Sequence, residues 1–160
     1  MTTLLLRRDD GYEISTDPRR LDLDLVHHWL STDAYWALGR PREVVERAVA
    51  GSVNYGLYGA AGPQVGFARV VTDYATFAWL CDVYVDAAER GKGLGVWLVG
   101  AVRDHVWAFG IRRLLLATAD AHGVYTKVGF TPLADPDRWM EIDARTGVRP
   151  VALRDPPTPG

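Results

Sequence analysis

The sequence predicts an α+β fold, with a central mixed, mostly antiparallel sheet and helices on both faces. Three observations carry this. Three β-type runs follow one another between residues 53 and 85, each closed by a turn. A glycine-rich turn then opens a stretch whose apolar residues share one wide helical face. A continuous leucine run follows that helix. Strand, helix and strand thus stand in crossover order, and the two strands are expected to run parallel.

Taken in order, residues 12–15 read as a first short strand, broken by Asp17-Pro18. Residues 21–30 repeat Leu21, Leu25, Val26, Trp29 and Leu30 at helical spacing. A loop with Tyr35 and Trp36 follows. Pro41 and Glu43 suit the first turn of a second helix, which stops at Gly51. Val53–Tyr58 and residues 65–72 flank a turn and predict a hairpin, and residues 76–85 add a third antiparallel strand. From residue 94 to 109, Leu94, Trp97, Leu98, Ala101, Val102, Val106 and Phe109 build one helical face, closed by Gly110. Residues 113–118 hold Leu114-Leu115-Leu116, the pattern of a strand buried on both faces. A short helix is expected at 121–128, and two final strands at 130–133 and 138–142.

The 160 residues suit one domain, assigned to residues 1–150, with 151–160 as a loose tail because of Pro156, Pro157 and Pro159. Eighteen basic and twenty acidic side chains leave no basic excess to attract nucleic acid or an anionic membrane. One cysteine cannot make an intrachain disulfide. The apolar runs are too short for a membrane span, and Leu4 to Leu6 are too few for a signal-peptide core. The expectation is a cytoplasmic protein.

Chemistry concentrates at Arg90-Gly91-Lys92-Gly93-Leu94-Gly95, between a strand and a helix. Successive N–H groups at such a turn converge on one concavity, and the helix N-terminus adds partial positive charge. Arg90 and Lys92 add two cations, and a pyrophosphate is the natural guest. A dinucleotide fingerprint from Gly91 would need glycine at Val96, and the Gly-Lys-Ser/Thr of a P-loop is absent.

This segment resembles the R/Q-x-x-G-x-G/A acyl-CoA signature of the GNAT superfamily, the Gcn5-related N-acetyltransferases. Val83-Tyr84-Val85 looks like the strand leading into it, and Val124-Tyr125-Thr126-Lys127-Val128-Gly129-Phe130 like the family's late φ-Tyr-x-Lys-φ-Gly-Phe segment. The resemblance covers residues 65–133 well and the N-terminal third loosely. It implies a GNAT-like acyl-CoA N-acyltransferase fold whose sheet splays between strands 76–85 and 113–118. It also implies acetyl-CoA as co-substrate, with its pantetheine against Val83 and Val85. The pyrophosphate would then lie on Arg90, Gly91, Lys92, Gly93, Leu94, Gly95 and Val96.

The implied reaction is direct attack of an amine on the thioester. Tyr125 matches the family's tyrosine and would serve the departing thiolate as catalytic acid. Asp82, in an apolar run beside the cleft, is the candidate base, with His122 or a water chain as alternatives. Alternation along a strand puts Asp82 with Leu80 and Tyr84. Many members carry an asparagine before the late helix, where this chain has Thr118-Ala119-Asp120.

The first helices usually line the acceptor pocket in this family. Here Tyr35 and Trp36 are the candidate substrate-binding residues, since aromatic faces attract an amine cation. Trp29 reads as core, and Arg40 and Arg42 as a solvated face. His27 and His28 diverge on a helix, and no metal-ligand spacing is present. The expected partner is a small-molecule or peptide amine, and the expected state a monomer or homodimer. The rival reading is a non-catalytic acyl-CoA-binding sensor using the same cradle.

Overall fold

The computed structural model describes residues 3–147. The chain divides into two compact units, Met1–Phe130 and Thr131–Gly160. The first holds a six-stranded sheet in sequence order: β1 (Leu5–Arg7), β2 (Glu13–Ser15), β3 (Val53–Tyr58), β4 (Gln64–Thr72), β5 (Ala78–Val85) and β6 (Leu114–Leu115). Neighbours are antiparallel except β5 and β6, which are parallel, as the crossover order predicts. The helices are α1 (Leu23–Thr32), α2 (Arg42–Ala50), α3 (Leu94–Ala108) and α4 (His122–Val128). Among the described residues no helix is long and apolar enough to cross a membrane.

Two hydrophobic layers sandwich the sheet. On one face, Leu94, Leu98, Val99, Val102 and Val106 of α3 pack with Val128 of α4 against Tyr55, Leu57, Val70 and Leu80. On the other, Val26, Trp29 and Leu30 of α1 and Val45 of α2 cover Phe67 and Tyr84. Trp29 is core, as expected, and stacks on Tyr84 with ring centroids 5.2 Å apart. Local chemistry fixes the ends of α1 and α3. The Asp22 carboxylate caps α1 by accepting the Leu25 N–H at 3.0 Å. Gly93 enters α3 at φ +72°.

The structure corrects the expected elements in four places. The chain adds β1 before the predicted first strand, pairing Leu5 with Ser15 and Arg7 with Glu13. The strand expected at 113–118 shrinks to Leu114–Leu115. The strands expected at 130–133 and 138–142 do not form. Pro132 and Pro136 remove ladder donors, short 3₁₀ turns occupy Pro136–Arg138 and Ala144–Thr146, and Met140 and Ile142 stay exposed. The expected tail at 151–160 lies outside the described residues.

The fourth correction bears on the site. Phe67 pairs with Tyr84 and Arg69 with Cys81, so Ala68 alone opposes both Asp82 and Val83. This is a β-bulge, and Asp82 takes φ +53° within it. The extra residue reverses the alternation beyond it. Leu80 packs in the α3 layer, whereas Tyr84 packs in the α1–α2 layer. Asp82 therefore does not share a face with both, as simple alternation requires.

Candidate active site

The parallel pair β5–β6 is joined at two registers only, Ala78 with Leu114 and Trp79 with Leu115. Beyond Trp79 the edge of β5 that faces β6 is open. A cavity fills that gap, and its walls come from four segments. Trp79 to Val83 of β5 form one, Tyr35 and Trp36 a second, Ala117, Thr118, Asp120 and Ala121 a third, and Tyr125 of α4 the last. A second cavity runs along Val83, Tyr84 and Val85 to Arg90 and shares Tyr35, Trp36, Val83 and Asp120 with the first. The open edge, the loop between α1 and α2, and the start of α4 thus form one continuous cleft. Residues from distant parts of the sequence, Tyr35, Trp36, Asp82, Val83 and Tyr125, meet there.

The glycine turn stands where β5 leads into α3. Gly91 and Gly93 both have positive φ, and a Cβ at either position would meet nothing within 4 Å. The first intrahelical acceptor, the Gly93 carbonyl, takes the Trp97 N–H. The N–H groups of Leu94, Gly95 and Val96 therefore have no acceptor within the helix. Open space above bare amides at a helix N-terminus fits a bound phosphate group. The two cations of the turn have protein partners. Arg90 donates to the Val85 carbonyl at 3.0 Å and to Asp33 at 3.2 Å. Lys92 donates to Glu89 at 2.6 Å, and the Tyr12 hydroxyl donates to the same carboxylate.

Asp82 is buried and fully engaged. Its Oδ2 accepts from Arg40 and Arg69, each at 2.9 Å, and its Oδ1 accepts the Trp36 indole N–H at 3.0 Å. Burial by itself would raise its proton affinity. The charges of Arg69 and Arg40, with the hydrogen bonds from Arg69 and Trp36, outweigh it and hold the carboxyl below its ordinary range. Arg40 is thus a member of a buried ion-pair group, not the solvated cation its sequence context suggests. Arg42 is on the surface, paired with Glu46 and Asp24.

Tyr125 packs edge to face on Phe130 at 5.8 Å and lines the cavity. Burial pushes that hydroxyl up to about 12. Burial likewise pushes the Cys81 thiol, on the same wall, up to about 11, so it rests protonated. His122 is exposed in the first turn of α4. Tyr35 and Trp36 meet edge to face at 5.1 Å, and the Tyr35 hydroxyl accepts the Ala119 N–H at 3.1 Å, bridging the loop to the segment after β6.

Several site residues escaped the sequence. Trp79 sits inside an apolar strand run. Asp120, in the stretch 118–120 before α4, lines both cavities. Arg69 lies one strand away from Asp82, and only the register reveals their contact. Asp33 accepts from the Tyr84 hydroxyl at 2.5 Å and anchors Arg90 beside the cleft.

The sequence matches the family model described as Acetyltransferase (GNAT) family over residues 23–130. A protein of Gibberella zeae named "Putative acetyltransferase FG08082" is 31% identical over 165 residues, covering 91% of this chain and 90% of that protein. Among solved structures, a GNAT-family protein from Xanthomonas campestris pv. campestris is 45% identical with a TM-score of 0.77. That match covers 82% of this chain and 92% of the other. Glucosamine-6-phosphate N-acetyltransferase from Arabidopsis thaliana shares the fold at a TM-score of 0.55 and 18% identity, over 89% and 97% of the two chains.

Proposed function

The chain belongs to the GNAT acetyltransferase family, and from that premise we propose that it transfers the acetyl group of acetyl-CoA to a primary amine by direct attack in a ternary complex. The observation that carries this reading is the open edge of β5 beyond Trp79, which leads directly to the bare amides at the start of α3. Acetyl-CoA supplies an acetyl group on a thioester sulfur. Val83 and Val85 offer their strand edge to its amide-bearing arm, and residues 90–96 offer N–H groups to its phosphates.

In the reaction the amide C–N bond forms as the C–S bond breaks. The amine loses one proton and the departing sulfur gains one. Tyr125 suits the second transfer. It lines the cavity and its hydroxyl stays protonated at neutral pH, so it holds a proton to give. Asp82 suits a different task from that of a base. Both its oxygens are engaged and its proton affinity is low. It acts as a positioning residue that fixes Trp36 and the bulge, and the amine proton leaves through water.

The test is turnover. Purified protein, acetyl-CoA and a panel of primary amines should release free thiol together with an acetylated amine detected by mass. Tight acetyl-CoA binding without thiol release on any amine would replace the transferase with the acyl-CoA sensor.

A further inference from the structure

Exposed aromatic rings are costly unless something covers them. Tyr35 and Trp36 are 50% and 41% exposed, yet both are fixed at their polar ends. Ala119 holds the Tyr35 hydroxyl, and Asp82 holds the Trp36 indole. The two rings also brace each other edge to face. The α1–α2 loop therefore presents two immobilised aromatic rings to the cavity. Trp79 and Tyr125 add two more rings to the same walls.

The charged groups of the cleft are paired, with one exception at Asp120. The acidic residues lining the first cavity are Asp82 and Asp120, and among the described residues that line it none is basic. Arg40 and Arg69 are both committed to Asp82, and Arg90, which lines the second cavity, is paired with Asp33. Asp120 is exposed and lines both cavities of the cleft. Aromatic faces with a free carboxylate attract a cation and repel an anion.

A cation box raises a chemical difficulty for a simple amine. The attacking nitrogen must be neutral, and a box that favours its ammonium form would oppose the reaction. The difficulty disappears when the cation in the box is a second group on the acceptor, which keeps its charge throughout. We infer that the acceptor is a dication of the alkyl diamine type. One nitrogen is deprotonated and acetylated, and a second ammonium or guanidinium rests among Tyr35, Trp36 and Asp120. A carboxylate or phosphate in the position of that second cation is rejected. The inference rests on the transferase reading above and adds the substrate class.

A matched series tests it: 1,4-diaminobutane, butylamine and 4-aminobutyrate offer the same chain with a positive, neutral or negative end. With acetyl-CoA and thiol release as readout, kcat/KM should fall at least tenfold from the diamine to butylamine and again to 4-aminobutyrate. Equal or better turnover of 4-aminobutyrate would overturn the substrate class and leave the transferase reading standing. If none of the three is acetylated, calorimetry with tetramethylammonium decides the box without catalysis. Saturable binding, weakened at least tenfold in Tyr35→Leu and retained in Tyr35→Phe, supports it. Absent binding, or binding that Tyr35→Leu leaves unchanged, overturns it.

Discussion

At the scale of single residues, the cleft divides proton chemistry unequally. Tyr125 keeps its proton because burial raises the cost of the phenolate. Tyr125→Phe preserves the ring on Phe130 and removes only the donor. The expected result is a kcat lower by about 10²-fold with little change in the KM for acetyl-CoA. An undiminished kcat would remove Tyr125 from the chemistry. The pH profile is a second check on the same residue. A primary amine has a pKa of about 10, so the neutral fraction grows tenfold per pH unit below that value. Tyr125, pushed up to about 12, remains a donor throughout that rise. The profile of kcat/KM should therefore climb to about pH 10 with no descending limb. A fall beginning near pH 9 would assign the donor role to a more acidic group.

At the scale of elements, much of the site was legible because it is local. The cap chemistry and periodicity of α3, the bounds of β3, and the glycines between β5 and α3 are properties of contiguous residues. The bulge was not legible. A positive φ usually announces itself through glycine, and here it falls on an aspartate inside an apolar strand, held by partners 42 and 13 residues away. Nor could spacing reveal that β5 and β6 part after two registers, since divergence depends on what packs between strands. The cradle yields a prediction of its own. Gly93→Asp introduces a carboxylate where a Cβ meets nothing, and aspartate tolerates the left-handed region better than most residues. Folding should survive while the negative charge repels phosphate. Acetyl-CoA at 100 times its Kd should stabilise the wild type by about 2.7 kcal/mol. In differential scanning calorimetry at the same concentration, the variant should show almost none of that shift. An equal shift in both proteins would place the phosphate site elsewhere.

At the scale of the whole first unit, one carboxylate joins the loop after α1 to the sheet. Asp82 binds Trp36 and Arg40 from that loop and Arg69 from β4, and Arg69 also donates to Ser52 at 3.1 Å, just before β3. Asp82→Asn keeps the shape but leaves two partly buried guanidinium groups without their counter-charge. The loss should be about 3–5 kcal/mol at neutral pH. Linkage then fixes how that loss depends on acidity. The folded carboxyl has its pKa below the unfolded value of about 3.9, so the stabilisation is complete above about pH 5. As pH falls through 3.9 toward the folded value, the unfolded chain takes up the proton first and the advantage is lost. Asparagine at the same position cannot titrate, and every other carboxylate is common to both proteins. The stability gap between wild type and Asp82→Asn, measured by urea unfolding, should therefore narrow as pH falls from 5 to 3. A gap that stays constant over that range would attribute the stabilisation to the shape of the side chain, and the buried ion pairs would no longer account for how the loop is held to the sheet.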